Sequence, residues 1–445
     1  MNARIRLAAA AALATAGLAG PDAAASAATV TISPMSGTPT ALAQTQISFL
    51  GAPAGALGSL SVVGSRSGRH RGNLRAYTSA LGASFLPSTP FTPGERVTVH
   101  ATLTGANRTR RTLSDTFTIA TPAHVAVAEP APSQSAPGAV RSFQSRPDLH
   151  PPTIAPAPPQ AGAAPAYVLV APAEGAGQHG PMILDGAGAL VWFRPLAGSE
   201  TAANLRTQVL HDRNVLTWWQ GRAGTLGYGL GVDMVANANY ATVAVVRAGN
   251  GLQADGHEFT LTPQGSAFVL SYSAVQPTNA PSGIPPSGPT LDCVIQQIDV
   301  HTGLVMAEWH SLGRVAAPRP CPSRPAREAP LAQRREPWSA QPSEPPAIAA
   351  RSSAGATAVY ASWNGATTVT SWQLLVGPGP GQMTAVSTTP KSGFETTIPA
   401  PNPPDGHCPA GVPCVAPAPW YVEVRALSAS GKALATSKAI QPSVE

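Results

Sequence analysis

Short apolar stretches and turns alternate along most of this 445-residue chain. The clearest case is Tyr421-Val-Glu-Val-Arg-Ala426, where Tyr421, Glu423 and Arg425 share one face of a strand and Val422 and Val424 the other. Strands are predicted at 29–33, 46–50, 60–64, 73–79, 96–103 and 114–119, and turns at this spacing predict a β-sandwich over 29–120. From 166 to 315 the recurring unit is a strand, an Asp- or Pro-x-Gly turn and another strand. At ~40 residues per unit it has the texture of propeller blades, and the span holds three to four of them. Strand-like runs recover over 356–445 and predict a second sandwich, of seven strands. Two spans interrupt the pattern. Residues 121–165 are crowded with Pro and Ala and read as an extended connector, or else as a strap lying on a neighbouring domain. The Pro/Arg-rich span 316–355 has neither strand nor helix period and is predicted to lack regular structure.

Composition supports an all-β chain, since Gly (42) and Pro (48) are abundant and both break helices. Residues 1–28 have the pattern of an export signal: Arg4 and Arg6, an apolar stretch over 7–18, then Ala25-Ser26-Ala27. A secreted protein, extracellular or periplasmic, is therefore expected. No later apolar run reaches the ~20 residues of a transmembrane helix. The net charge of +6 comes with scattered arginines and no nucleic-acid motif, so no nucleic-acid partner is expected. Cys408 and Cys414 bracket a short Pro-Ala-Gly-Val-Pro loop and are expected to bridge, which leaves Cys293 and Cys321 as a pair by elimination. No Cys/His spacing marks a metal site, and no cofactor is expected.

Groups able to do chemistry gather near one hairpin. Asp255-Gly-His257-Glu258-Phe259 leads through Thr260-Leu-Thr into a Pro263-Gln-Gly265 turn and a returning strand at 267–272. His257 and Glu258 thus place an imidazole and a carboxylate at the mouth of a hairpin, where a rigid β frame typically displays polar functional groups. Glu258 could orient the His257 ring, although adjacent strand residues point to opposite faces. Trp218 and Trp219, followed by Gln220, are adjacent in a strand, so the two tryptophans take opposite faces and one belongs to the core. Arg194, Arg206, Arg213, Arg222 and Arg247 are candidate anion ligands, with nothing in the sequence to select one. His310 is either a ligand or a bonded rim histidine, and His211 and His301 sit in turns.

In chain order, Val215-Leu-Thr-Trp218-Trp219-Gln220-Gly221, Arg247-Ala-Gly-Asn-Gly, Asp255-Gly-His257-Glu258-Phe259, Ser271-Tyr272, Gln297-Ile-Asp299-Val-His-Thr-Gly303 and Glu308-Trp309-His310-Ser311 resemble the arylsulfotransferase family over 166–315. The resemblance implies a six-bladed propeller. It also implies sulfuryl transfer from a phenolic sulfate ester to a phenol through a sulfo-histidine at His257, with Trp218, Trp219, Gln220, Arg247, Glu258 and His310 as substrate ligands. The segment around Gln46-Ile-Ser-Phe-Leu-Gly resembles immunoglobulin-like modules, and Trp363, Trp372 and Tyr421 resemble a fibronectin type III module. The chain departs from the family in three ways. Gly256 stands where leucine is usual, Arg314 where histidine is common, and after Val315 no further blades follow. The expected fold is thus a partial propeller between two β-sandwiches, with two open sheet flanks. Its function is arylsulfotransferase-like or, alternatively, that of a catalytically inactive secreted binding or vestigial β-protein.

Overall fold

Turns cut the chain into short strands that pair in seven four-stranded sheets. The computed structural model describes residues 30–105, 108–123, 140–156, 166–173, 175–223, 228–276, 289–315, 333–353, 356–402 and 420–444, and these contain no α-helix. Sheet 1 joins Thr31–Ser33, Ile47–Leu50, Gly82–Pro87 and Gly72–Ala76; sheet 2 joins Gly68–His70, Leu57–Gly64, Arg96–Thr104 and Arg110–Thr118. Alternation buries Ile47, Phe49 and Phe85 of sheet 1 against Val62, Val97, Val99 and Phe117 of sheet 2 in one core.

Three further sheets follow. Sheet 4 is a meander of Thr201–Leu210, Arg213–Ala223, Gly229–Ala236 and Thr242–Val246, and sheet 5 of Phe259–Leu261, Ser266–Val275, Thr290–Asp299 and Val305–His310. Sheet 3 is built differently. Tyr167–Val170, Met182–Leu184 and Leu190–Phe193 run in sequence, but its fourth strand, Arg334–Glu336, returns from far along the chain to pair with Tyr167–Val170. Residues 333–353 were expected to lack regular structure, and they instead hold this strand and Ala347–Ser353. The missing sequence signal is understandable, because a three-residue strand has no readable period and draws its order from long-range pairing. Trp338 then buries its ring with Leu169, Trp192 and Trp218 and donates its indole N–H to the Tyr240 hydroxyl at 3.0 Å. Trp338→Phe keeps most of that packing and loses the hydrogen bond. A cost of about 1 kcal/mol is expected, read as a fall in Tm with the transition still cooperative.

The layers pack in a chain of cores. Trp218, Leu216 and Ala236 of sheet 4 meet Leu169, Ile183 and Trp192 of sheet 3. From its other face, Val215, Trp219 and Val235 meet Phe259, Val269 and Ile298 of sheet 5. The two outer flanks of this stack are covered, not open as expected. Leu50, Tyr77 and Leu86 of the N-terminal sandwich close over Leu304 and Met306 of sheet 5. Leu149 of the segment 140–156 and Phe394 close over Val168, Met182 and Phe193 of sheet 3. That segment is therefore a strap, the alternative to a free connector.

Sheets 6 (Glu395–Ala400, Ala356–Ser362, Ala347–Ser353, Ser443–Val444) and 7 (Thr384–Pro390, Ser371–Gly377, Tyr421–Leu427, Ala433–Thr436) enclose Trp363, Trp372, Val359, Ile398, Val422 and Val424. The second sandwich has eight strands: seven within 356–445, the number expected there, and Ala347–Ser353, which comes from the span expected to lack regular structure and pairs in parallel with Ser443–Val444. Both tryptophans are core residues.

Candidate functional site

His257 lies in the turn before Phe259–Leu261, where its side chain is 65% exposed. Its Nδ1 sits 2.5 Å from Asp255 Oδ1, which also accepts the His257 backbone N–H at 3.0 Å. The Asp255 carboxylate is fully buried, and its second oxygen accepts the N–H of Gly229. Burial acts to raise the Asp255 pKa, but hydrogen bonds from His257 and Gly229 outweigh it and hold the group ionised. In return, the hydrogen bond to Asp255 raises the His257 pKa above its ordinary value, against partial desolvation. The imidazole is thus gripped at Nδ1 and faces solvent with Nε2. Glu258 was the expected orienting group, and Asp255 takes that role. The signal was legible in Asp255-Gly-His257, because an Asp side chain readily bonds the backbone two residues on. Gly256 has a steric reason as well: an added Cβ would stand 3.1 Å from the Trp219 ring and 3.3 Å from Ala203.

Glu258 instead pairs with Arg206, Oε1 to a guanidinium nitrogen at 2.5 Å. Arg206 projects from Thr201–Leu210, the first strand of sheet 4, and it is the candidate arginine that the structure selects. The first strands of sheets 4 and 5 and the returning strand of sheet 3 converge here. Arg206, Gln208, Leu261, Pro263, Arg334 and Glu336 line a cleft of about 360 Å³ between them. Glu336 is held by the Thr207 hydroxyl at 2.7 Å, and Arg334 reaches Asn204 at 3.3 Å. The two guanidinium groups share this cleft with the Glu336 carboxylate, and Arg206 is already paired with Glu258.

Behind Arg206 lies Asp233, in the strand Gly229–Ala236. It sits opposite Trp219 in the sheet, is fully buried, and neither carboxyl oxygen has a hydrogen-bond partner. Burial pushes its pKa well above the usual range; Arg206 opposes this, while Asp255 and Glu258 add to it. The folded state therefore holds a proton that the unfolded chain releases at ordinary carboxyl pKa. Stability is greatest below that pKa and declines as pH rises toward the raised folded value. Asp233→Asn removes the ionisation and is expected to raise Tm at pH 7 by about 2–4 °C for each kcal/mol relieved. At pH 4 the gain is expected to shrink.

The remaining expected ligands lie elsewhere. Trp218 is buried between sheets 3 and 4, edge-on to Trp192 with ring centres 6.1 Å apart. Trp219 is buried between sheets 4 and 5 and donates to the Ala254 carbonyl at 2.8 Å. Neither lines a pocket, because both faces of sheet 4 are covered. Gln220 bonds Glu200 at 2.7 Å. Arg247 is exposed, with no hydrogen bond or ion pair among the described residues. His211 and His301 are exposed in turns.

His310 is not a substrate ligand, because it has no exposed surface and both ring nitrogens are taken. Nδ1 meets Asp292 at 2.7 Å and Nε2 meets Glu308 at 2.8 Å. Burial lowers its pKa, but the two carboxylates overcome that and lift it to about 9. Cys408, Cys414 and Cys321 lie outside the described residues. Cys293 is a free, half-buried thiol that burial and nearby Asp292 push up to about 11. No helix of the described residues is long and apolar enough to cross a membrane.

Residues 206–338 match the family model described as Arylsulfotransferase (ASST). The match begins at the cleft arginine and ends at the tryptophan that follows the returning strand. No curated protein matches. Among solved structures, the chain is similar at 10% identity to "Structure of surface layer protein SbsC, domains 1-6", covering 92% of this chain and 58% of that one with a TM-score of 0.19. A second S-layer structure, rSbsC(31-844), gives 13% identity, 89% and 57% coverage and a TM-score of 0.18. The chain thus spans less than two thirds of either protein, and scores this low carry no inference about fold or function.

Proposed function

We propose that residues 166–338 form a sulfuryl-transfer domain, with sheets 3, 4 and 5 as blades of a partial propeller. In this reading the chain is exported and the flanking sandwiches are immunoglobulin-like and fibronectin-III-like modules. The observation that carries it is the His257–Asp255 pair: an exposed Nε2 on a ring whose Nδ1 is fixed by a buried carboxylate. The family match over 206–338 supplies the substrate class, an aryl sulfate as donor and a phenol as acceptor.

The Nε2 lone pair attacks sulfur, the bond from sulfur to the aryl oxygen breaks, and the phenolate leaves with the electron pair. Asp255 offsets the positive charge that then spreads over the ring. In the second half-reaction the acceptor's phenolic oxygen attacks sulfur while its proton passes to solvent, the N–S bond breaks with its electron pair returning to Nε2, and neutral His257 is regenerated.

The test is trapping. The protein is incubated with p-nitrophenyl sulfate without acceptor, quenched quickly and digested for mass spectrometry. A sulfuryl group on the peptide containing His257, formed with a matching burst of nitrophenolate, is expected. Absence of both sinks the proposal. It would favour the second reading, an exported binding protein without turnover, which the burial of Trp218, Trp219 and His310 supports by removing half of the six expected substrate ligands.

A further inference from the structure

Sheet 2 turns one face to the core of the N-terminal sandwich. Its other face looks away from the rest of the molecule, because sheet 1 is the layer that meets sheet 5. Strand register defines what that outer face presents. Arg69, Val63, Thr98 and Thr116 form one row across the sheet, and His100 lies between Ser61 and Ser114. Arg96 pairs with Thr118 at one end, and Arg110 with Thr104 at the other. Side-chain bonds on this face stay within the sandwich, as between Arg96 and Thr116 and between Ser59 and Thr102.

The charge is one-sided. Residues 30–123 contain eight arginines, all exposed, and two carboxylates, Glu95 and Asp115, both buried. Hydrogen bonds from Ser67, Arg66 and Thr92 occupy the oxygens of Glu95 and hold its pKa at about 2. The surplus of this one sandwich therefore equals the net +6 of the whole chain. Averaged over the full sequence, that charge looked dilute. In the fold it falls to the N-terminal sandwich, with Arg69, Arg96 and Arg110 on the outer face of sheet 2 and Arg75 in sheet 1.

We propose that the outer face of sheet 2 docks the protein onto an anionic polysaccharide. Spacing argues for a polymer. Arg96 and Arg110 stand about 27 Å apart at ~3.3 Å per residue, and Arg69 lies two strands over, roughly 10 Å to the side. A single small anion cannot span charges separated by one to three Debye lengths of about 8–10 Å, whereas an extended chain can. Arginine forks match sulfate or carboxylate oxygens, and the rows of Ser and Thr can exchange hydrogen bonds with sugar hydroxyls. The face carries no Phe, Tyr or Trp on which nucleic-acid bases could stack.

The full chain is passed over immobilised dextran sulfate, neutral dextran and duplex DNA. Binding to dextran sulfate alone is expected, falling as salt rises. The triple variant Arg69→Ala, Arg96→Ala, Arg110→Ala is expected to weaken it by about tenfold or more. A control triple removing equal charge elsewhere, Arg213→Ala, Arg222→Ala, Lys432→Ala, should stay within about twofold if the face is the site. Arg110→Glu, a single change at a strand end, is the second variant should the triple fold poorly, and it is expected to weaken binding as well. Equal losses in both triples, unchanged binding by both face variants, no binding to dextran sulfate, or tighter binding to DNA each overturns the proposal. None of these results depends on sulfuryl transfer.

Discussion

His310→Leu is expected to destabilise the protein by about 3–5 kcal/mol, the cost of leaving buried charge without its counter-charge. The imidazole lies between Asp292 and Glu308, none of the three side chains having more than 1% exposure. Removing it leaves two ionised carboxylates in the interior. Asp292 would keep donors from Thr40, Ser311 and Leu312, and Glu308 from Asn250 and Gln296. Those dipoles do not neutralise two charges. Thr40 comes from the N-terminal sandwich and Ser33 of the same sandwich bonds Glu308's backbone, so the damage falls on the joint between that sandwich and sheet 5.

The pH dependence gives a second readout. The folded pKa of His310, about 9, exceeds its unfolded value near 6.5. Its stabilisation is therefore complete below about pH 6.5 and fades as pH rises through about 9. Asp292 and Glu308 have lowered pKa values, so their share is present above the unfolded carboxyl range and is lost as pH falls through the folded values. Wild-type Tm should fall on the alkaline side, and His310→Leu should lack that step. A variant with wild-type Tm at pH 7 would show that the cluster is not the joint described here. Glu308→Leu, Asp292→Leu and His310→Leu together should recover much of the loss, since the isolated charges go too.

Sequence pattern located most strands because a half-buried strand alternates with period two, a local property. It missed Gly82–Pro87 and Gly229–Ala236, whose glycines hide the pattern. At Gly229 and Gly231 the small residue makes room for the Trp219 ring, so the departure reflects packing. Arg334–Glu336 was illegible for another reason, since its partner Tyr167–Val170 lies far back in the chain. Among site residues, the importance of His257 was legible from its motif. Glu258 was a candidate for orienting the ring against the opposite pointing of adjacent strand residues, and the two-residue step to Asp255 is the one that brings a carboxylate to the ring. The roles of Trp218, Trp219 and His310 depended on what covers each face of sheets 4 and 5, and no local pattern carries that information. The flanks of the stack are covered by what lies beyond it: the N-terminal sandwich buries Leu304 and Met306, and Leu149 of the strap together with Phe394 buries Val168 and Met182.

If His257 is the nucleophile, Asp255→Asn should cut kcat/KM for p-nitrophenyl sulfate by about 10²–10⁴ and shift its pH profile. Asparagine is nearly isosteric and its Oδ1 can still accept at the contact now 2.5 Å from Nδ1, but its amide nitrogen then faces the Gly229 N–H that the second Asp255 oxygen accepts, so one buried hydrogen bond is lost together with the charge. In the wild type the hydrogen bond to the carboxylate raises the His257 pKa. The attacking species is the neutral ring, so activity should climb with pH through a value above the ordinary 6.5 for histidine. With asparagine the ring loses its proton at lower pH, and the limb moves to the acid side. The plateau must fall as well, because no carboxylate remains to offset the charge on the sulfated imidazole. A lower plateau with a limb displaced to acid separates this role from simple loss of fold, which lowers activity without moving the limb. His257→Ala should reduce the rate to that of buffer, and Glu258→Gln, which loosens Arg206 but leaves the Asp255–His257 pair intact, should cost less than Asp255→Asn. Wild-type rate and profile in Asp255→Asn would rule out the pair as the chemical centre and transfer attention to the Arg206 cleft as a site for binding alone.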